Sequence, residues 1–511
     1  MLKTLDVSTS NNSYTDKKNN IIIFGLSANF GHIIFIYFLL QIILRVAIGN
    51  SLGTDEAEQI ITAQSFEWGY GSQPPLYTWL VIGVFQLFGP TLFSLALLKN
   101  ALLCLGYFGI WSAAKKIGPP RFAVLCTLSV FFLPQISWEA QRALTHSVLL
   151  FTCASWTIYG FISLQEKPDL LKSIGFGLLI AAGLISKFNY LFVFAALIFA
   201  LSCHAQGRAY LFSKYFFISI GVAALLLTQP MLWNINHLDL AASRVNKFGM
   251  EAGWQTAFQG LWAFVTASFN FCAVVFALYL PVLFKPLQNS SIARQNVNKA
   301  HLDYLKTALF IGLVIVAITI VASGTTNVKD RWLQPLLLLV PIVIVGHFWA
   351  KLHDRHIKYL YVSVVICAIA IIIFLPLALT HGTFKKPSIQ RFPSQIIALQ
   401  LKQEGIKTVI TNSNALAGQL AFHNSELTVV TLEYSVLDVP HSKPLAIIWT
   451  GPQTAQVPPN IAQLYQRLYN EPLRPQQKPT HNILPLTQTL ASRISQQPII
   501  PFPYNQLIIE N

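Results

Sequence analysis

Between residues 30 and 379 the sequence is a succession of apolar runs broken by short segments that hold most of the charge. A spanning helix needs about 20 mostly apolar residues to cross the hydrocarbon core of a bilayer. Runs that meet or approach this length lie at 30–49, 91–114, 121–137, 147–164, 172–186, 190–205, 215–233, 262–284, 307–323, 332–350 and 359–379. In lipid, backbone polar groups must be satisfied within the segment itself, so these runs are expected to be helices. Only 11% of the 511 residues are charged, against about 25% in an ordinary soluble domain. The expected class is therefore a multi-span α-helical membrane protein with about eleven transmembrane helices.

The connecting charges set a topology. Basic clusters at Lys115–Arg121, Lys167–Lys172, Arg208–Lys214, Lys285–Lys306 and Lys351–Lys358 fall between apolar runs, where the positive-inside rule places them in the cytoplasm. The formal net charge of +15 follows from these loops and does not call for nucleic acid. Residues 1–20 are polar and read as a cytoplasmic tail before a signal anchor. The alternation holds only if residues 76–90 do not cross. That run opens after Pro74-Pro75 and closes at Gly89-Pro90, a helix start and stop, and is expected to lie along the outer membrane surface. The six cysteines are isolated in or beside apolar runs, so neither a disulfide framework nor a zinc site is indicated.

The membrane part spans 21–380, with a first outer loop at 50–90. From about residue 381 prolines and polar residues rise. Helices are expected at Ser394–Glu404 and Asn414–His423, and strands at Thr408–Thr411, Leu427–Leu432 and Leu445–Thr450. This alternation predicts a small α/β domain over 381–511, periplasmic if the N-terminus is cytoplasmic. Beyond Gly451 the chain is rich in Pro and Gln and is expected to be partly irregular.

The expected outer loops hold few charges, but these are concentrated. They are Asp55, Glu56, Glu58 and Glu67; then Glu139, Arg142 and His146; Lys187; Asp239, Arg244, Lys247 and Glu251; and Lys329, Asp330 and Arg331. A carboxylate can take a proton from a hydroxyl, and cationic side chains can hold a departing phosphate. Each residue also has an ordinary role: Asp55-Glu56 as a helix cap, Lys187 as a snorkelling side chain, Lys329–Arg331 with Trp332 as an interfacial anchor. Charges at helix ends, with apolar interiors nearly free of them, favour an enzyme. The alternative is a polytopic transporter or a lipid-linked sugar flippase, which would place ionisable groups near the midplane.

Three features together resemble a known family. They are the Asp55-Glu56 pair, the loop from Trp68 through Tyr70, Gln73, Pro74 and Pro75 to Leu76, and the Lys187 turn. The pattern is similar to bacterial glycosyltransferase family 39, relatives of the protein O-mannosyltransferases and lipid A aminoarabinose transferases. The resemblance implies the GT-C architecture, a polyprenyl-phosphate-linked sugar donor, and inverting transfer at the periplasmic face of the bacterial inner membrane. It implies Asp55 as the acceptor-activating base with Glu56 beside it. The phosphate is expected near Arg142, Lys187, Arg244, Lys329 and Arg331, with Glu58, Trp68, Tyr70, Gln73, Pro74, Pro75 and His146 in the substrate loops. Many members have an aspartate where this chain has His146. Trp138–Ser147 and Val328–Pro335 look like a branch that adds galacturonic acid to lipopolysaccharide core or lipid A. The implied acceptor is an envelope glycolipid or glycan. Carboxylates beside phosphate suit Mg²⁺ or Mn²⁺, which leaves open a divalent cation bridging the phosphate to Asp55 or Glu56.

Overall fold

In the computed structural model, residues 30–241, 249–250, 253–284, 296–381, 388–435, 437–454, 456–473, 478–489, 492–493 and 500–510 are described. Every apolar run named above is helical. Among the described residues eight helices have the length and composition to cross a membrane: Phe30–Ala47 (α1), Leu92–Ile117, His146–Glu166, Lys214–Asn236, Trp254–Val282, Lys299–Ser323, Gln334–Lys351 and Asp354–His381. The other three runs take different forms. Pro120–Phe132 and Gln135–Arg142 meet at 76° and Tyr190–Ser202 and Ala205–Leu211 at 116°, while Leu170–Leu184 is a shorter apolar helix. The first bend falls at Pro134, whose ring cannot continue the preceding helix, and Gln135–Glu139 is wound as a π-helical turn.

The segment after α1 folds into two helices, Thr54–Thr62 (α2) and Leu76–Phe88 (α3), before Leu92–Ile117 (α4). α3 starts after Pro75 and stops at Gly89, whose φ of 74° suits glycine. Close approach holds the bundle together where α4 meets His146–Glu166. A Cβ on Gly106 would stand 2.3 Å from the Phe151 ring, so the small residue lets the two backbones draw near.

The C-terminal unit is a five-stranded sheet of order β2-β1-β3-β5-β4. Its strands are Thr408–Thr411 (β1), Thr428–Thr431 (β2), Leu445–Thr450 (β3), Thr480–Pro485 (β4) and Pro501–Ile509 (β5). β1 runs parallel to β2 and β3, while β5 is antiparallel to β3 and β4. The first three strands and the helices Ser394–Gln403 and Asn414–His423 agree with the sequence reading. The tail beyond Gly451 is more regular than expected: it supplies the helix Pro459–Tyr469 and two strands. Prolines hide those strands. Pro501 and Pro503 lie at the end of β5 that extends past its β3 pairing, which begins at Tyr504, and Pro485 ends edge strand β4. Proline is tolerated in such places because no central ladder bond is lost.

The sheet unit sits directly on α2. Gly418, in the helix Asn414–His423, lies so close that an added Cβ would stand 2.2 Å from the Ala57 carbonyl oxygen. Two glutamines bridge the contact. Gln419 accepts from the Leu52 amide at 3.3 Å and donates to the Leu52 carbonyl at 2.9 Å. Gln64 does the same to Val429 of edge strand β2, at 2.9 and 3.0 Å. The Gln64 bonds satisfy backbone groups of a sheet edge.

Candidate active site

α2 carries adjacent carboxylates that face different surroundings. Glu56 turns inward, where its Oε2 accepts from the Gly53 amide at 2.7 Å and so caps the helix. Arg45, near the end of α1, grips the same carboxylate with Nε at 3.0 Å and Nη2 at 2.5 Å. The Lys99 ammonium of α4 lies 3.8 Å from Oε1. Burial opposes ionisation of Glu56, but Arg45, Lys99 and the Gly53 amide outweigh it and bring its pKa down to about 2. Arg45 and Lys99 went unnoticed in the sequence reading, although charges inside apolar runs are themselves a signal of a site.

Asp55 points the other way, to the junction of two cavities. The first, about 670 Å³, is lined by Asp55, Glu58, Gln73, Pro74, His146, Lys187, Lys329 and Arg331, with apolar walls that include Phe188, Leu191, Val316 and Ile320. Phe188 and Leu191 are large apolar side chains left exposed. The second, about 610 Å³, is lined by Asp55, Gln135, Glu139, Arg142, Asn270, Lys329, Asp330 and Arg331, among others. Asp55, Leu144, Val328, Lys329 and Arg331 border both. Burial raises the Asp55 pKa to about 6, and the Glu58 charge adds to the rise; Lys99, Arg331 and Lys187 oppose it. A carboxyl tuned to this range is matched to proton abstraction near neutral pH.

The cationic walls are held by polar contacts between elements. Lys187 Nζ donates to Ser147 Oγ at 2.7 Å. Asn189 donates to the Trp332 carbonyl at 2.8 Å, tying the Lys187 turn to the Lys329–Arg331 segment. Asp330 accepts from Gln135 at 2.6 Å and from the Arg331 amide at 2.8 Å, which fixes that segment over the π-helical turn. Glu58 accepts from the Tyr434 hydroxyl of the sheet unit. No sequence signal marks Tyr434 as a partner, because the two residues are far apart in the chain.

The remaining expected site residues divide. His146 borders the first cavity, 3.4 Å from the Gln59 amide. Arg142 lines the second cavity rather than the first and pairs with Glu139 at 2.7 Å. Glu56, Trp68, Tyr70 and Pro75 border neither cavity. Tyr70 is buried and donates to the Ser65 carbonyl at 2.9 Å. Trp68 packs in an aromatic cluster with Phe66 and Trp79, and Pro75 precedes the first turn of α3. Arg244, Lys247 and Glu251 lie outside the described residues. Among the described residues no three His, Cys, Asp or Glu side chains gather in a metal-holding group. On the first cavity, Asp55 and Glu58 are the carboxylates that could share a divalent cation with a phosphate.

Comparison with known proteins agrees with this architecture. The family described as dolichyl-phosphate-mannose-protein mannosyltransferase matches residues 72–233. The lipopolysaccharide core galacturonosyltransferase RgtB of Rhizobium johnstonii is 28% identical, over 84% of this chain and 89% of its own length. RgtA of the same organism, described in the same words, is 26% identical over 82% and 86%. Crystal structures of ArnT from Cupriavidus metallidurans share the fold: the apo form has a TM-score of 0.56 at 11% identity, covering 96% of this chain and 98% of its own. The form bound to undecaprenyl phosphate has a TM-score of 0.55 at 12% identity, covering 94% and 98%. The chain is a membrane glycosyltransferase with the fold of these structures. Over more than four fifths of its length its sequence is similar to the two galacturonosyltransferases. The transporter or flippase alternative is not favoured.

Proposed function

We propose that this enzyme transfers a uronic acid sugar from a polyprenyl phosphate to a hydroxyl of a lipopolysaccharide acceptor, at the periplasmic face of the inner membrane. The observation that carries the reading is the position of Asp55, at the boundary of two cavities that also share Lys329 and Arg331. The first cavity combines apolar walls with Lys187, Lys329 and Arg331, which suits a lipid tail ending in a phosphate. The second is lined largely by polar and charged side chains and suits a glycan. Support also comes from the similarity to the lipopolysaccharide core galacturonosyltransferases.

In this mechanism the acceptor hydroxyl approaches from the second cavity and loses its proton to Asp55 as its oxygen attacks the anomeric carbon. The bond from that carbon to the phosphate oxygen breaks on the opposite face. Lys187, Lys329 and Arg331 stabilise the charge that develops on the leaving phosphate. A single displacement inverts the anomeric configuration, and no glycosyl-enzyme forms, unlike the retaining two-carboxylate route.

The test is mass spectrometry of envelope glycolipids from cells with and without the gene, joined to anomeric assignment of the product made by purified enzyme. Loss of one uronic acid residue, and a linkage inverted relative to the donor, are expected. Unchanged lipopolysaccharide, or retention of configuration, contradicts the reading.

A further inference from the structure

Among the described residues that line the first cavity, Glu58 is the charged one that the transfer mechanism leaves unused. Lys187, Lys329 and Arg331 meet the phosphate and Asp55 takes the acceptor's proton, yet Glu58 borders the same space. It follows Asp55 by three positions on α2, and residues three apart share a helix face. A carboxylate repels an anionic phosphate, and a polyprenyl tail has nothing to donate to it. What remains of the donor is the sugar, whose hydroxyls donate hydrogen bonds to an acceptor-only group. Ser72, Gln73 and Thr145, neutral groups that hydrogen-bond readily, line this cavity as well.

A second observation comes from the sheet unit. The Tyr434 hydroxyl donates to Glu58 Oε1. Tyr434 is 1% exposed, and its amide donates to the Thr431 carbonyl at 3.2 Å, in a turn at the end of β2. Strand and turn run along the segment between α2 and α3. Gln64 bridges to Val429, Gly71 turns with a φ of 64° beside the Glu433 carbonyl, and the Asp438 amide donates to Glu67 at 3.2 Å. The tyrosine is thus seated before its hydroxyl reaches α2. A long side chain loses rotamer freedom when it binds a ligand, and a bond that orders it beforehand removes part of that cost.

We infer that Glu58 is a binding residue for the donor sugar and that Tyr434 is its positioning residue, so that the sheet unit takes part in recognising the sugar. The inference rests on the first cavity being the donor's. Tyr434 does not border that cavity; it acts by holding one carboxylate oxygen of Glu58.

The experiment measures the affinity of full-length enzyme in detergent for two radiolabelled lipids, galacturonosyl polyprenyl phosphate and sugar-free polyprenyl phosphate. Tyr434→Phe, which keeps the ring and its packing, is expected to bind the sugar-bearing lipid about tenfold more weakly. It should bind the sugar-free lipid as wild type does, which also shows that the variant is folded. Glu58→Ala should lose affinity for the sugar-bearing lipid and bind the sugar-free one at least as tightly as wild type. Adding Tyr434→Phe to Glu58→Ala should cost nothing more, because the hydroxyl acts through the carboxylate. Equal losses for both lipids overturn the inference, since they place Glu58 on the phosphate or leave the contact merely structural. No loss for either lipid, or additive losses in the double variant, overturns it as well. Lys187→Met run in parallel separates the two claims. Wild-type affinity of that variant for both lipids defeats the donor placement, whereas weakened binding of both, with Tyr434→Phe unaltered, defeats only this inference.

Discussion

Adjacent residues of identical chemistry diverge here because a helix turns them about 100° apart, one toward packed cations and the other toward open space. Glu56 is an anchor whose ionised form the fold stabilises. Its pKa falls from 4.5 to about 2, so the folded state binds fewer protons than the unfolded chain between those values. That stabilisation is present above pH 4.5 and is lost as pH falls towards 2. Removing one partner of a buried pair typically costs about 3–5 kcal/mol. Arg45→Met should therefore lower the thermal midpoint at pH 7 by several degrees, with a smaller deficit at pH 3; an equal deficit at both would contradict the anchor role. The Asp55-Glu56 pair was legible in the sequence because its charges follow an apolar run. Its division of labour was not: that depends on Arg45 and Lys99, which sit within α1 and α4, helices expected to be nearly charge-free inside.

At the level of elements, α2 is clamped between the membrane helices and the sheet unit. Gly418 and the two glutamine bridges leave little freedom for α2 to tilt. A methyl group at position 418 would meet the Ala57 backbone, which cannot yield as a side-chain tip does. Gly418→Ala is expected to cut kcat by about tenfold or more, since small misplacements of a catalytic group are costly, while the chain still inserts and its sheet unit stays folded by circular dichroism. Undiminished kcat would show that the contact does not position α2. The strands β1 and β3 were readable from their Val and Ile content. β4 and β5 were not, because Pro485, Pro501 and Pro503 mask them, and only the pairing partners show where those prolines are harmless. The Tyr434 contact to Glu58 was equally invisible, since it joins elements that become neighbours only through the tertiary fold.

Across the whole molecule, a bundle of apolar helices supports a small polar junction, and the sheet unit packs on α2 beside it. That the chain is a bundle of apolar helices was legible from hydropathy; of about eleven spans expected, eight among the described residues have the length and composition to cross, or ten with each bent pair taken as one span. Their shapes were not: the bend at Pro134 follows from a proline inside a run read as one span, and the bend after Ser202 and the short Leu170–Leu184 helix show only in the folded chain. The two-cavity arrangement could not be read from any one loop, because its walls come from segments spread between Thr54 and Leu333. The account requires that Asp55 act on the acceptor and not as a donor ligand alone. The measurement that addresses this is a paired determination on Asp55→Asn: affinity for the polyprenyl-phosphate-linked sugar, and single-turnover transfer to the acceptor. Transfer reduced about 10²–10⁴-fold with donor affinity retained is the expected result. Near wild-type transfer by that variant would contradict it.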